Sequence, residues 1–271
     1  MESAMRKLRD EGRSIGFVPT MGALHEGHLS LIRQAKAEND IAVCSIFVNP
    51  IQFNNPDDLA KYPQQIEKDI QMLEEIDCDY LFNPDVDEMY PEPDTTEFDF
   101  GYLEQVMEGV NRPGHFRGVA VVVKRLFEII KPHRAYFGKK DYQQLLIVKS
   151  LVEQYNLTPE IIACAIVREK DGLAMSSRNK RLSFSQRRKA PAIYANLQKA
   201  KELREYLSPE QIKHWMYERY SKSEDFALEY FEVADADSLQ PIENWEDSQR
   251  PMGFIVVHMG AVRLLDNIEF F

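Results

Sequence analysis

A chain of 271 residues accommodates one large domain or two smaller ones, at roughly 150 residues per domain, and its 44% hydrophobic content suffices for a sizeable core. The net charge of −11, from 33 basic and 44 acidic residues, argues against general nucleic-acid affinity but leaves a small anionic ligand open, because local charge decides that. No apolar stretch is long enough to span a bilayer. The N-terminus has no signal-like segment, and Cys44, Cys78 and Cys164 are odd in number and lack zinc spacing, all of which predicts a cytoplasmic protein with reduced thiols.

Residues 15–18 read as a buried strand. Strands at 41–48, 80–82, 135–137 and 161–167 alternate with helices at 29–38, 64–76, 118–130 and 143–155. This order predicts a parallel α/β sheet with helices on both faces and a ligand site beyond the carboxyl ends of the strands. Glu67, Lys68 and Asp69 read as the wet face of 64–76, and 85–99 as an acidic, proline-bearing loop. The pattern changes after Val167. A polar loop at 168–181 precedes helices at 185–206 and 209–221 and strands at 226–233, 254–259 and 261–265, with 235–250 as a surface connection. The expected division is 1–167 as the parallel-sheet domain and 168–271 as a smaller α+β domain.

His25-Glu26-Gly27-His28 falls where the first strand passes into a helix N-terminus. Such an end presents unpaired N–H groups and partial positive charge, which suits a phosphate. Two imidazoles there can stabilise charge on a transferring phosphate, although two histidines around a turn are also ordinary surface residues. Gly138-Lys139-Lys140-Asp141 offers a phosphate-reaching lysine and a ribose-binding carboxylate, or else a solvated helix start. Met175-Ser176-Ser177-Arg178-Asn179 suits a mobile phosphate clamp or a polar linker. Asn49 and Gln52 around Pro50, with Gln144 on a later helix, can hydrogen-bond a hydroxylated substrate; Asn-Pro is also a common turn. Arg112 to Gly118 is a basic loop able to add cations to a phosphate site, or a surface turn. Glu26, Asp57 and Asp58 lack a spacing that compels a protein metal cage; magnesium commonly binds through phosphates instead.

These segments together resemble the pantothenate synthetase (pantoate–β-alanine ligase) family, part of the nucleotidyltransferase superfamily with the His-x-Gly-His motif. The likeness rests on Val18 to Leu29, Ser45 to Phe53, Arg112 to Val119, Tyr136 to Leu145 and Asp171 to Asn179, with Arg263-Leu264-Leu265-Asp266-Asn267 near the end. It implies a Rossmann-like doubly wound parallel sheet with a C-terminal α+β lid. It also implies an ATP-dependent ligase that forms pantoyl adenylate and pyrophosphate, then transfers the acyl group to β-alanine and releases AMP. By position, His25, His28, Lys140 and Arg178 would act on the phosphates with Ser176 and Ser177. Pro19, Thr20 and Met21 would also line the ATP site, Gly138 and Asp141 the ribose, and Val167 and Met175 the adenine. Gln52, Gln144 and Asn49 would hold pantoate, and Arg112 would be a further site residue. Magnesium would enter with ATP, held by its phosphates, and the enzyme would be a homodimer. Two departures stand out. The family usually has a strand before the first helix, and many relatives carry Glu where this chain has Lys139.

Two rivals share parts of the pattern. A cytidylyltransferase or NMN adenylyltransferase would share the strand–histidine–helix unit without needing Gln52 and Gln144. A nucleotide-binding regulatory module would have no need of the intact histidines, Lys140 and the 176–178 clamp.

Overall fold

The computed structural model describes residues 1–53, 55–92 and 95–271; Pro93 and Asp94 of the expected 85–99 loop lie outside the described residues. Two compact units divide the chain. Met1–Lys139 with Gln143–Ala165 form one, and Lys140–Tyr142 with Ile166–Phe271 form the other.

The first unit runs α1 (Glu2–Asp10), β1 (Ile15–Thr20), α2 (Glu26–Glu38), β2 (Ile41–Ile46), α3 (Pro56–Ala60), α4 (Ile66–Glu75), β3 (Tyr80–Phe82), α5 (Val86–Met89), α6 (Glu108–Asn111), α7 (His115–Ile130), β4 (Arg134–Gly138), α8 (Tyr142–Gln154) and β5 (Glu160–Cys164). All strand pairs are parallel, in the order β3-β2-β1-β4-β5. The strands are apolar because both faces are covered. Val18, Ala42, Cys44, Ile46 and Tyr136 point to the face where α2 packs its Leu29, Ile32 and Ala35. Phe17 and Phe137 point to the other, where both meet Phe127 of α7 edge-on. This two-faced arrangement is the doubly wound sheet that the alternation predicts.

Element ends differ by a few residues from the sequence reading. α7 starts at His115, three residues early, because Gly114 takes φ +78° and turns the chain into the helix. The fifth strand stops at Cys164 rather than Val167.

The second unit contains α9 (Phe184–Lys189), α10 (Ala192–Leu203), α11 (Pro209–Ser221) and the antiparallel strands β6 (Ala227–Asp235), β7 (Pro251–Met259) and β8 (Val262–Glu269), ordered β6-β7-β8. The single helix expected over 185–206 is two helices separated at Ala190 and Pro191, since proline cannot donate to the preceding turn. Capping boxes at Ser183/Gln186 and Ser208/Gln211 fix the starts of α9 and α11. Ile255, Val257 and Met259 of the central strand bury against Ile193 and Leu197 of α10 and Ile212 and Met216 of α11. No helix among the described residues is long and apolar enough to cross a membrane.

Candidate active site

Chain order reverses between β1 and β4, so the crevice at their carboxyl ends is the switch point where parallel sheets bind ligands. Pro19 and Thr20 close β1. Thr20 Oγ1 donates to Ser45 O at 2.7 Å and accepts from Gly22 N at 3.1 Å. The chain then turns sharply, with φ of +77° at Gly22 and +51° at Ala23. A left-handed alanine costs about 1–2 kcal/mol, so something must hold this turn. Ala23 N and Leu24 N both donate to the carboxylate of Asp69, at 2.8 and 2.9 Å.

Asp69 is 1% exposed. It is not on the wet face expected for it: α4 turns Asp69 and Leu73 inward together. Their four-residue spacing is the one signal of this in the sequence, but a carboxylate among Glu67 and Lys68 reads locally as solvated.

His25 caps α2. Its backbone is extended and its Nδ1 accepts from Gly27 N at 3.1 Å, so the cap needs Nδ1 unprotonated and places the neutral ring's proton on Nε2. His28 is the third helical residue, and the two rings lie 4.1 Å apart at 35°. The histidines thus stand together beside the N-terminal N–H groups of a 13-residue helix.

Asn49 and Gln52 lie at the 3₁₀ turn Pro50–Gln52, and both are buried. Asn49 Nδ2 donates to Gln52 Oε1 and to Gly118 O, while its Oδ1 accepts from Ile51 N and from Tyr90 Oη. Both amide protons and both lone pairs are thereby used within the protein, which makes Asn49 an orienter of Gln52. Gln52 Nε2 meets Met21 Sδ at 3.1 Å.

Beneath this turn sits His115, 4% exposed. Arg112 Nη1 approaches its Nε2 at 2.9 Å, and Gln52 O lies 3.0 Å from its Nδ1. A guanidinium can only donate and a carbonyl can only accept, so Nε2 accepts and Nδ1 carries the proton. Arg112 also faces Glu108 at 3.7 Å. The 112–118 loop thus braces Gln52 through His115.

Gly118 packs against the same turn; a Cβ there would fall 2.6 Å from Gln52 Cα. Gly118→Ala is expected to cost about 1–3 kcal/mol by overpacking. It should also raise the KM for the substrate that Gln52 holds more than the KM for the nucleotide, which denaturation and steady-state kinetics would measure.

Gly138 ends β4 with no heavy atom within 4 Å of its missing Cβ position, so a ligand can approach the backbone there. Lys139 follows in the same unit, and Gln144 is half-buried in the first turn of α8.

The second unit brings Lys140, Ser176, Arg178, Arg263 and Asp266 around one small cavity. Asp141, half-exposed, lies 3.5 Å from Lys140 Nζ. Val167 and Met175 are adjacent, with Met175 N donating to Val167 O at 3.0 Å. Ser176 Oγ accepts from Arg178 N and so caps the turn Ser177–Arg181, in which Ser177 is buried. The 263–267 segment, which carries the family likeness but no role in the sequence reading, organises this cavity. Arg168 holds the Asp266 carboxylate through two bonds of 2.6 and 2.9 Å and stacks 3.6 Å over Tyr194. Asn267 Nδ2 donates to Lys140 O at 2.9 Å.

All three thiols are poor nucleophile candidates. Burial pushes Cys78 and Cys164 up to about 11 and raises Cys44 well above the usual thiol range, so each stays protonated near neutral pH. Among the described residues no three His, Cys, Asp or Glu side chains gather as a metal cage.

Two imidazoles on a helix N-terminus at the switch point of a parallel sheet make a site whose chemistry suits a phosphate. Residues 1–269 match the family model for pantoate–beta-alanine ligase. The chain is 50% identical to a pantothenate synthetase of Porphyromonas gingivalis over 270 residues, covering 100% of this chain and 96% of that protein. For the enzyme of Bacteroides thetaiotaomicron the identity is 46% at the same coverage. The crystal structure of pantothenate synthetase from Thermus thermophilus superposes with a TM-score of 0.92 at 40% identity, covering 98% of both chains. That of pantoate–beta-alanine ligase from Francisella tularensis, complexed with beta-gamma ATP and beta-alanine, gives 0.81 at 37% identity, covering 99% of this chain and 95% of that one. The chain belongs to the pantoate–β-alanine ligase family.

Proposed function

We propose that the chain condenses pantoate with β-alanine at the residues described above, in two steps. A pantoate carboxylate oxygen attacks the α-phosphorus of ATP, the bond to the bridging oxygen breaks, and pyrophosphate leaves. The β-alanine amine then attacks the acyl carbon of pantoyl adenylate, AMP leaves with the bonding pair, and the amine loses a proton to solvent. A carboxylate is a poor acyl donor, and adenylation gives it a good leaving group. The protein's work is positioning and charge stabilisation, with no covalent enzyme intermediate.

The observation that carries this reading is the histidine pair on the N-terminus of α2, where negative charge on the phosphates would develop. His25 and His28 donate to those phosphates; Lys140, Ser176, Ser177 and Arg178 hold them. Pro19, Thr20 and Met21 line the nucleotide, Gly138 and Asp141 take the ribose, and Val167 and Met175 flank adenine. Gln52 and Gln144 hold pantoate, with Asn49 orienting Gln52. Magnesium held by the ATP phosphates would supply charge neutralisation there. Glu26 is engaged with Arg33 and Asp57 lies near Lys61, which leaves the phosphates as its natural ligands. Residues 1–167 bind nucleotide and pantoate, and 168–271 act as the lid. A homodimer in the cytoplasm, where ATP is supplied and buried thiols stay reduced, completes the reading.

The test is ATP consumption by the purified protein with magnesium, pantoate and β-alanine, each omitted in turn. AMP and pantothenate should form only in the complete mixture; AMP formation without pantoate would overturn the assignment. In the same assay Gln144→Ala should raise the KM for pantoate more than that for ATP. Equal losses for both substrates would remove Gln144 from the pantoate site.

A further inference from the structure

We propose that Asp69 is a positioning residue for adenylyl transfer, fixing the turn from which His25 and His28 project. This rests on the role given above to the two histidines.

A carboxylate that is 1% exposed needs compensation, because burying charge is costly unless it is paired or fully hydrogen-bonded. Among the described residues no lysine, arginine or histidine forms an ion pair with Asp69. Its compensation comes from three N–H donors: Ala23 N, Leu24 N and Gln65 Nε2, the last at 3.2 Å. Two of these are consecutive backbone amides of one turn, gripped by the two oxygens of one carboxylate.

Apart from Asp69, the turn is held at its start, where Gly22 N donates to Thr20 Oγ1; the Ala23 and Leu24 amides go to Asp69. Gly22 and Ala23 are both left-handed, and their amides are not spent on the sheet. The fit is also close: a Cβ on Gly22 would lie 3.0 Å from Asp69 Oδ2 and 2.9 Å from Ile46 Cγ2. One residue past Leu24, His25 takes up its cap on α2. A charge buried without a cation, against the one irregular turn that carries the histidines, is a device for setting their position. Misplacement by about 1 Å can cost about 10²-fold in rate, so small slack in this turn reaches the chemistry.

Asp69→Asn tests this. Asparagine keeps the shape but turns one acceptor oxygen into an amide donor facing a backbone N–H. The expected result is a kcat for pantoate-dependent ATP–pyrophosphate exchange lowered about 10-fold to 10²-fold, with KM values for ATP and pantoate little changed. Leu73→Ala, one turn along α4 and also buried, is the control. It should lower Tm at least as far while keeping near wild-type exchange well below that Tm.

Exchange by Asp69→Asn at the wild-type rate, or a loss matched by Leu73→Ala at equal stability, overturns the proposal. Failure of the wild-type protein itself to exchange pyrophosphate would instead sink the ligase reading. The positioning claim then still faces a substrate-free measurement. The imidazole proton signals of His25 and His28 should move in Asp69→Asn and stay in Leu73→Ala; unmoved signals overturn it.

Discussion

His28→Ala is expected to lower pantoate-dependent pyrophosphate exchange by about 10²–10³ while leaving Tm near the wild-type value. His28 is the third residue of α2, beside amides that already favour an anion, and removing a preorganised donor there leaves transition-state charge less well met. His25→Ala should lose a comparable factor and in addition destabilise the protein by about 1 kcal/mol. Its Nδ1 holds Gly27 N at 3.1 Å, and alanine cannot cap a helix. The pair of variants thus separates chemistry from capping. Exchange kinetics on both, with thermal melts alongside, would check it. Wild-type exchange by either variant would remove that histidine from the reaction, and equal melts would remove the cap.

Asp266→Ala is expected to destabilise the protein by about 3 kcal/mol, a large effect for one residue. Burial pushes the Asp266 carboxyl above its usual range, and Arg168 opposes that through two close hydrogen bonds. With Asp266 gone, Arg168 keeps only its stack on Tyr194 and bonds to backbone oxygens, and Asn267 N loses the carboxylate that it donates to. Asp171→Ala breaks an ion pair too, with Arg187, but both of those side chains are substantially exposed. That change should cost less than about 1 kcal/mol. Denaturant midpoints for the two variants would show the contrast; similar losses would contradict it. Because Asn267 also bonds to Lys140 O, Asp266→Ala should further raise the KM for ATP.

Local signals singled out many of the residues of the candidate site. The apolar run before His25 is a strand because β-branched and aromatic residues are buried on both faces, and Gly27 with the Leu29, Ile32, Ala35 spacing marks the helix after it. Lys140 and residues 176–178 stand out in the same way, as polar residues after strand-like runs. The misses share one cause. Asp69, His115 and Asp266 each read as ordinary in their own segments, and their partners are far along the chain. Ala23 is 46 residues from Asp69, Gln52 is 63 from His115, and Arg168 is 98 from Asp266.

The sequence by itself determined the alternation of strands and helices, the histidine pair on a helix N-terminus and the family, because these depend on periodicity, capping and motifs within a few residues. Tertiary structure alone decided the β3-β2-β1-β4-β5 order, the burial of Asp69 beneath Ala23 and Leu24, the bracing of Gln52 by His115, and the tether from Asn267 to Lys140. Those are pairings of distant groups. A carboxylate or an imidazole carries no local mark of whether it will meet water or a buried N–H, and only the packed chain supplies the partner that makes burial favourable.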